Sequence, residues 1–180
     1  MTAPYYTLPG IPSDLLTSEK IGTRRNKVEP ASTGFYEGRQ FRMVRKLNSP
    51  IVYKYVAVVP FILFEQIFTV SDGGYEFFAW RSDNITELTP FNTAVPIFRK
   101  NTENQEYIRQ NGVFSGGSIS IINSNLYSDF ASLITSGATA QKTSVSGPAN
   151  SERFLSPGTY YLQFTGTAVG SYQIAWEENP

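Results

Sequence analysis

Residues 61–80 read FILFEQIFTVSDGGYEFFAW, and the fold is decided here. Apolar and aromatic side chains recur with the two-residue period of a pleated strand on both sides of Asp72-Gly73-Gly74. A glycine pair after an aspartate supplies the positive-φ positions of a tight turn, which predicts a hairpin in which residues 75–80 return along residues 61–70. Pro60 ahead of it suits a strand start or a bulge.

The same period extends in both directions. Ile51, Tyr53, Tyr55, Ala57 and Val59 fall on one face of a strand and Val52, Lys54, Val56 and Val58 on the other, so both faces are expected to be largely covered. Farther on, Ser156-Pro157-Gly158 leads into Tyr160, Leu162 and Phe164, and residues 166–170 are expected to turn back so that Tyr172, Ile174 and Trp176 alternate in reply. Between these segments, residues 94–99 read as an edge strand because Pro96 cannot donate to a central ladder. Gly116-Gly117 introduces a strand over residues 118–122, and residues 126–134 fit either a strand or a short helix. Residues 136–151 are nearly all Ser, Gly, Ala, Thr and Asn and read as an exposed loop. Short strands, glycine turns and no long helix predict an all-β protein, an antiparallel β-sandwich that is jelly-roll-like.

Residues 1–33 differ from the rest. Pro4, Pro9, Pro12 and Pro30 interrupt them and Arg24, Arg25 and Lys27 form a basic cluster. Such a segment cannot build a core of its own. Tyr5, Tyr6, Leu8, Ile11, Leu15 and Leu16 are nevertheless too apolar for a solubilising tail, so an extended N-terminal arm that anchors on a partner is expected, ahead of a single β-sandwich domain over residues 34–180.

Composition limits the chemistry. The 180 residues include no His and no Cys, which removes the usual proton shuttle near neutral pH, the commonest neutral metal ligand and all thiol chemistry. No cofactor motif is present: Gly73-Gly74 and Gly116-Gly117 lack the Lys-Ser/Thr and the helix of a phosphate loop, and no calcium loop or G-x-S-x-G string occurs. Glycoside hydrolysis needs only two carboxyl groups, for which Glu65, Glu76, Asp83 and Glu87 near the first hairpin are the candidates. Solvated strand faces, or pairing with Arg81 and Arg99, account for them more simply, and no enzyme activity is expected. Tyr75 and Trp80 are candidate glycan contacts, although alternation sends Tyr75, Phe77 and Ala79 to one side and Phe78 and Trp80 to the other, so that one set belongs to the core.

The formal charge is zero, with nine Lys and Arg against four acids in residues 1–54 and six against eleven in the remainder. A basic front half can face an acidic protein surface or the chain's own acidic body, and zero net charge argues against nucleic acid. Residues 1–10 have no continuous apolar stretch of signal-peptide type. Residues 52–70 alternate and carry Lys54, Pro60, Glu65 and Gln66, so no membrane partner is expected.

Gly34-Phe35-Tyr36-Glu37-Gly38-Arg39, followed by Phe41-Arg42 and by Val58-Val59-Pro60-Phe61-Ile62-Leu63-Phe64-Glu65, resembles the small virion structural proteins of tailed bacteriophages. Gly158-Thr159-Tyr160-Tyr161-Leu162, Gly170-Ser171-Tyr172 and Trp176-Glu177-Glu178 are similar to their closing hairpin, although Gly-Thr-Tyr-Tyr-Leu also closes unrelated β-sandwich binding modules. The resemblance covers most of the chain from Gly34 and implies a virion location and a head-decoration (cement) or tail-accessory role. The implied partners are other virion proteins, the major capsid protein or tail proteins, with homo-oligomers, trimers among them, as the common form of such parts. It carries no catalytic residue. A host-glycan-binding module of a tail tip or fibre is the alternative.

Overall fold

A computed structural model describes residues 34–48, 50–134, 142–146 and 153–180. The chain divides into two compact units, residues 1–37 and 38–180. In the first, residues 34–36 form a helical turn. The anchoring-arm residues Tyr5, Tyr6, Leu8, Ile11, Leu15, Leu16, Arg24, Arg25 and Lys27 lie outside the described residues.

The second unit is all β and antiparallel. Its strands are β1 (Gln40–Asn48), β2 (Ile51–Ala57), β3 (Phe61–Arg81), β4 (Ile85–Thr89), β5 (Thr93–Ala94), β6 (Phe98–Arg99), β7 (Gly112–Ser115), β8 (Ser118–Ile121), β9 (Asp129–Ile134), β10 (Lys142–Ser146), β11 (Arg153–Leu155) and β12 (Gly158–Glu178). The two expected hairpins do not form. β3 and β12 each run unbroken for 21 residues and pair with each other from Tyr160↔Arg81 to Glu178↔Phe61. The glycines bend this ribbon rather than reverse it. Gly73 (φ 73°) and Gly166 (φ 97°) occupy conformations that L side chains avoid. A Cβ on Gly73 would stand 2.0 Å from the Thr167 carbonyl oxygen.

Ring contacts measure the bend. Phe68 and Phe77 are nine residues apart, about 30 Å along a straight strand, yet their ring centroids are 5.0 Å apart. Phe164 and Tyr172, on β12, meet at 4.9 Å. The ribbon therefore folds its two halves face to face. One layer contains β6, β1, the C-terminal half of β12 and the N-terminal half of β3, edged by β10 and β11. The other contains β5, β7, β2, the N-terminal half of β12, the C-terminal half of β3, and β9. The result is an antiparallel β-sandwich whose layers share one bent ribbon.

Two register shifts keep the core face continuous. Phe64 and Ser71 are extra residues on β3, so the buried set passes from Phe61 and Leu63 to Gln66, Phe68 and Val70, and then to Tyr75, Phe77 and Ala79. Each inserted residue changes which parity faces inward. β2 follows the expected alternation, with Tyr53, Tyr55 and Ala57 buried.

A second cluster lies outside the β2-containing layer, where Trp80, Phe91 and Tyr161 are buried under β4 and β8. Of residues 126–134, which fitted a strand or a short helix, Asp129–Ile134 form strand β9. The expected loop over residues 136–151 is corrected in part, because residues 142–146 are a strand on the edge of β3. The expected edge strand over residues 94–99 is reduced to the two-residue strands β5 and β6 on either side of Pro96. Among the described residues no helix is long and apolar enough to cross a membrane.

Candidate binding surface and the buried carboxylate

The β2-containing layer leaves part of its outer face uncovered beside the second cluster. Phe78 on β3 pairs with Phe130 on β9, and their rings lie 5.1 Å apart. Phe78 also stacks on Trp80 at 5.4 Å, and Tyr127 stands edge-on to both at 5.7 and 6.2 Å. Burial and polar anchors fix the deeper rings: Trp80 is 1% exposed and donates its Nε1–H to Gln163 Oε1 at 2.9 Å.

The loop that delivers Tyr127 is anchored by the Asn84 side chain and by Ser128 N–H on the Ala79 carbonyl. Asn84 is buried, its Nδ2 donating to the carbonyls of Asn123 (2.8 Å) and Leu126 (3.2 Å), while its Oδ1 accepts from Asn123 N (2.9 Å). A buried side chain that satisfies three backbone groups leaves the loop few alternatives. The loop then presents Ile122, Leu126 and Tyr127 to solvent next to Phe130, with exposures of 67, 61, 46 and 45%. Fixed, half-exposed aromatic rings in a group with aliphatic neighbours have the character of an interaction surface.

The expected glycan contacts Tyr75 and Trp80 are corrected by burial. They fall on opposite faces, Tyr75 in the main core at 2% exposure and Trp80 in the second cluster. Neither ring has a face free for a sugar. Tyr127 and Phe130 hold the accessible positions. Sequence offered one hint of them, since reading residues 126–134 as a strand makes Phe130 a strand aromatic, but its partner strand was not legible.

Glu178 is the chain's most deeply buried carboxylate among the described residues, at 0% exposure. Three donors converge on it: Tyr107 Oη–H (2.9 Å) and Gln110 N–H (2.8 Å) on Oε2, and Asn111 N–H (2.9 Å) on Oε1. Asn111, itself buried, accepts from the backbone N–H groups of Val58 and Val59. The arrangement clamps the segment before β7 to the end of β12. Burial, with the hydrogen bond and charge of Glu178 added, raises the Tyr107 hydroxyl well above the usual tyrosine range. Tyr55, beside Asn111, is raised mainly by burial.

The hydrolysis candidates have separate surroundings. Glu65 accepts from Gln173 Nε2 at 2.6 Å and Glu87 pairs with Lys54 at 3.1 Å, while Glu76 and Asp83 are exposed. Glu65 and Glu76 lie on opposite halves of β3, facing Ala175 and Thr165, because the hairpin that would have paired their strands is absent. Among the described residues no three acidic side chains are grouped so as to hold a metal ion. No protein family, curated protein or solved structure matches the chain.

Proposed function

We propose that this chain is a non-enzymatic structural protein of a bacteriophage virion, attached to neighbouring subunits by packing and by its N-terminal residues 1–33. The observation that carries an assembly role is the half-exposed ring pair of Tyr127 and Phe130, 5.7 Å apart, with Leu126 and Ile122 exposed on the same Asn84-anchored loop. Aromatic residues fixed before association lose little entropy on binding and dominate interfaces. The sequence resemblance to small virion proteins supports the phage setting, and head decoration is the preferred role within it.

Imaging and mass spectrometry of purified particles test the proposal. Regular density for the chain, lost when residues 1–33 are deleted or when Tyr127→Ser and Phe130→Ser are combined, is the expected result. Absence of the chain from particles, or unchanged incorporation of both variants, overturns it. A tail-tip glycan-binding module is the second reading, favoured by the same exposed rings. Saturable binding of host polysaccharide that vanishes in the Tyr127/Phe130 variant, with normal incorporation, would select it.

A further inference from the structure

The two layers are tied together at two places. At the end of β12 Glu178 clamps the segment before β7. Along one long edge β11 of one layer meets β9 of the opposite layer through an ion pair, Arg153 Nη2 to Asp129 Oδ2 at 2.8 Å. Behind this pair a cavity of about 100 Å³ separates the layers. Tyr55, Phe61, Leu63, Leu162 and Ile174 supply apolar walls, and Gln66, Ser128, Asp129 and Arg153 make one polar end.

Hydrogen bonds at that end can be followed atom by atom. Arg153 Nη2 also donates to Gln66 Oε1 (3.0 Å), and Gln66 Nε2 donates to Tyr172 Oη (3.2 Å). Asp129 Oδ1 accepts from Phe130 N (2.9 Å), and Ser128 Oγ donates to the Ala79 carbonyl (2.9 Å). Arg153 Nε–H is left, buried and with no partner among the described residues. Gln66 is 97% buried and holds the guanidinium in place.

We infer that this interlayer cavity is a binding site for a small neutral molecule with an apolar body and one oxygen acceptor, the acceptor taking the Arg153 Nε–H. Size, charge and access each narrow the ligand. A cavity of about 150 Å³ lined by apolar side chains holds a benzene, and a single water needs only about 10–15 Å³, so this space suits roughly four heavy atoms. Asp129 already balances Arg153, so a charged ligand would bring an uncompensated charge between apolar walls. Arg153 and Asp129 line the cavity and their side chains are 37 and 27% exposed, so the ion pair is where the site meets water. An ion pair so open to water holds little, and β9 and β11 each have their main-chain pairing with β3 to keep the layers in place when it parts.

Acetone is a suitable probe, with isobutene as its hydrocarbon counterpart and acetate as its charged one, all of the same size. Backbone and Arg Nε–H shifts of the full chain would be followed by NMR titration. Saturable shifts at Ala79, Ser128 and Arg153 with acetone, and binding about tenfold weaker for each counterpart, are expected. Arg153→Lys keeps the charge opposite Asp129 but has no Nε–H, and is expected to weaken acetone about tenfold while leaving isobutene unchanged. The inference is overturned by shifts that fail to saturate, by shifts that miss these residues, or by a hydrocarbon or carboxylate that binds as well as the ketone. The three wild-type titrations decide the matter even where Arg153→Lys folds poorly.

Discussion

Replacing Glu178 by Ala removes the acceptor for three donors at once, and the structure fixes what each loss entails. Asn111 is 1% exposed, so its N–H has no route to water, and a buried donor left unpaired costs about 1–3 kcal/mol. Gln110 is exposed and Tyr107 half-buried, so water replaces much of their loss and roughly 0.5–1 kcal/mol each is appropriate. Relief from burying a carboxylate offsets part of this. The net expectation is a destabilisation of about 3 kcal/mol, which in a domain of this size lowers Tm by roughly 6–12 °C. Glu178→Gln keeps an acceptor for Asn111 but turns an amide N–H₂ toward Gln110 N–H, so about half that loss is expected. Urea unfolding followed by far-UV circular dichroism measures both. An Ala variant within about 1 kcal/mol of wild type, or a Gln variant as damaged as the Ala one, would show that Glu178 does not clamp the loop.

Gly73→Ala is expected to destabilise by at least about 3 kcal/mol, because its φ is 73° and its new Cβ would meet the Thr167 carbonyl at 2.0 Å. Wild-type-like urea unfolding would contradict the bend. Stability is also expected to fall at alkaline pH. Burial raises Tyr55, Tyr75 and Tyr172 above their ordinary value near 10. Tyr107 is raised as well, with Glu178 adding to burial. Above about pH 10 the unfolded chain loses these protons while the folded one keeps them, so stability is intact below that pH and declines as pH rises toward the folded values. Tyrosinate absorbance that rises cooperatively with loss of structure is the expected signature; gradual titration without unfolding would refute it.

Several elements were legible from residue order alone. The alternation of Tyr53, Tyr55 and Ala57, and the opposed faces of Phe77 and Phe78, follow from the two-residue period of a strand and survive in the sandwich. Other elements were not. Residues 142–146 carry one large apolar side chain, yet they pair with β3, because a strand edge offers main-chain partners regardless of side-chain type. The exposed aromatic patch depends on Asn84 reaching a loop 39 residues away, a distance that no local pattern spans.

The bends at Gly73 and Gly166 mark the boundary most clearly. By itself the sequence determined that the chain leaves straight extension there, because a positive φ is available to glycine at little steric cost. It also determined an all-β fold, a chemistry without imidazole or thiol, and the apolar faces of β2 and of both halves of β12. Whether each glycine would reverse a hairpin or bend a continuing strand was decided only in three dimensions. Both use the same local conformations, and the choice rests on which partner fills the strand edge. β12 offers β3 pairing along nearly its full length, with the two bulges absorbed in register. The cavity beside Arg153 likewise exists only because the ribbon folds, since residues of both layers line it, whereas the patch beside Tyr127 needs β9 and the Asn84-held loop to meet one half of β3.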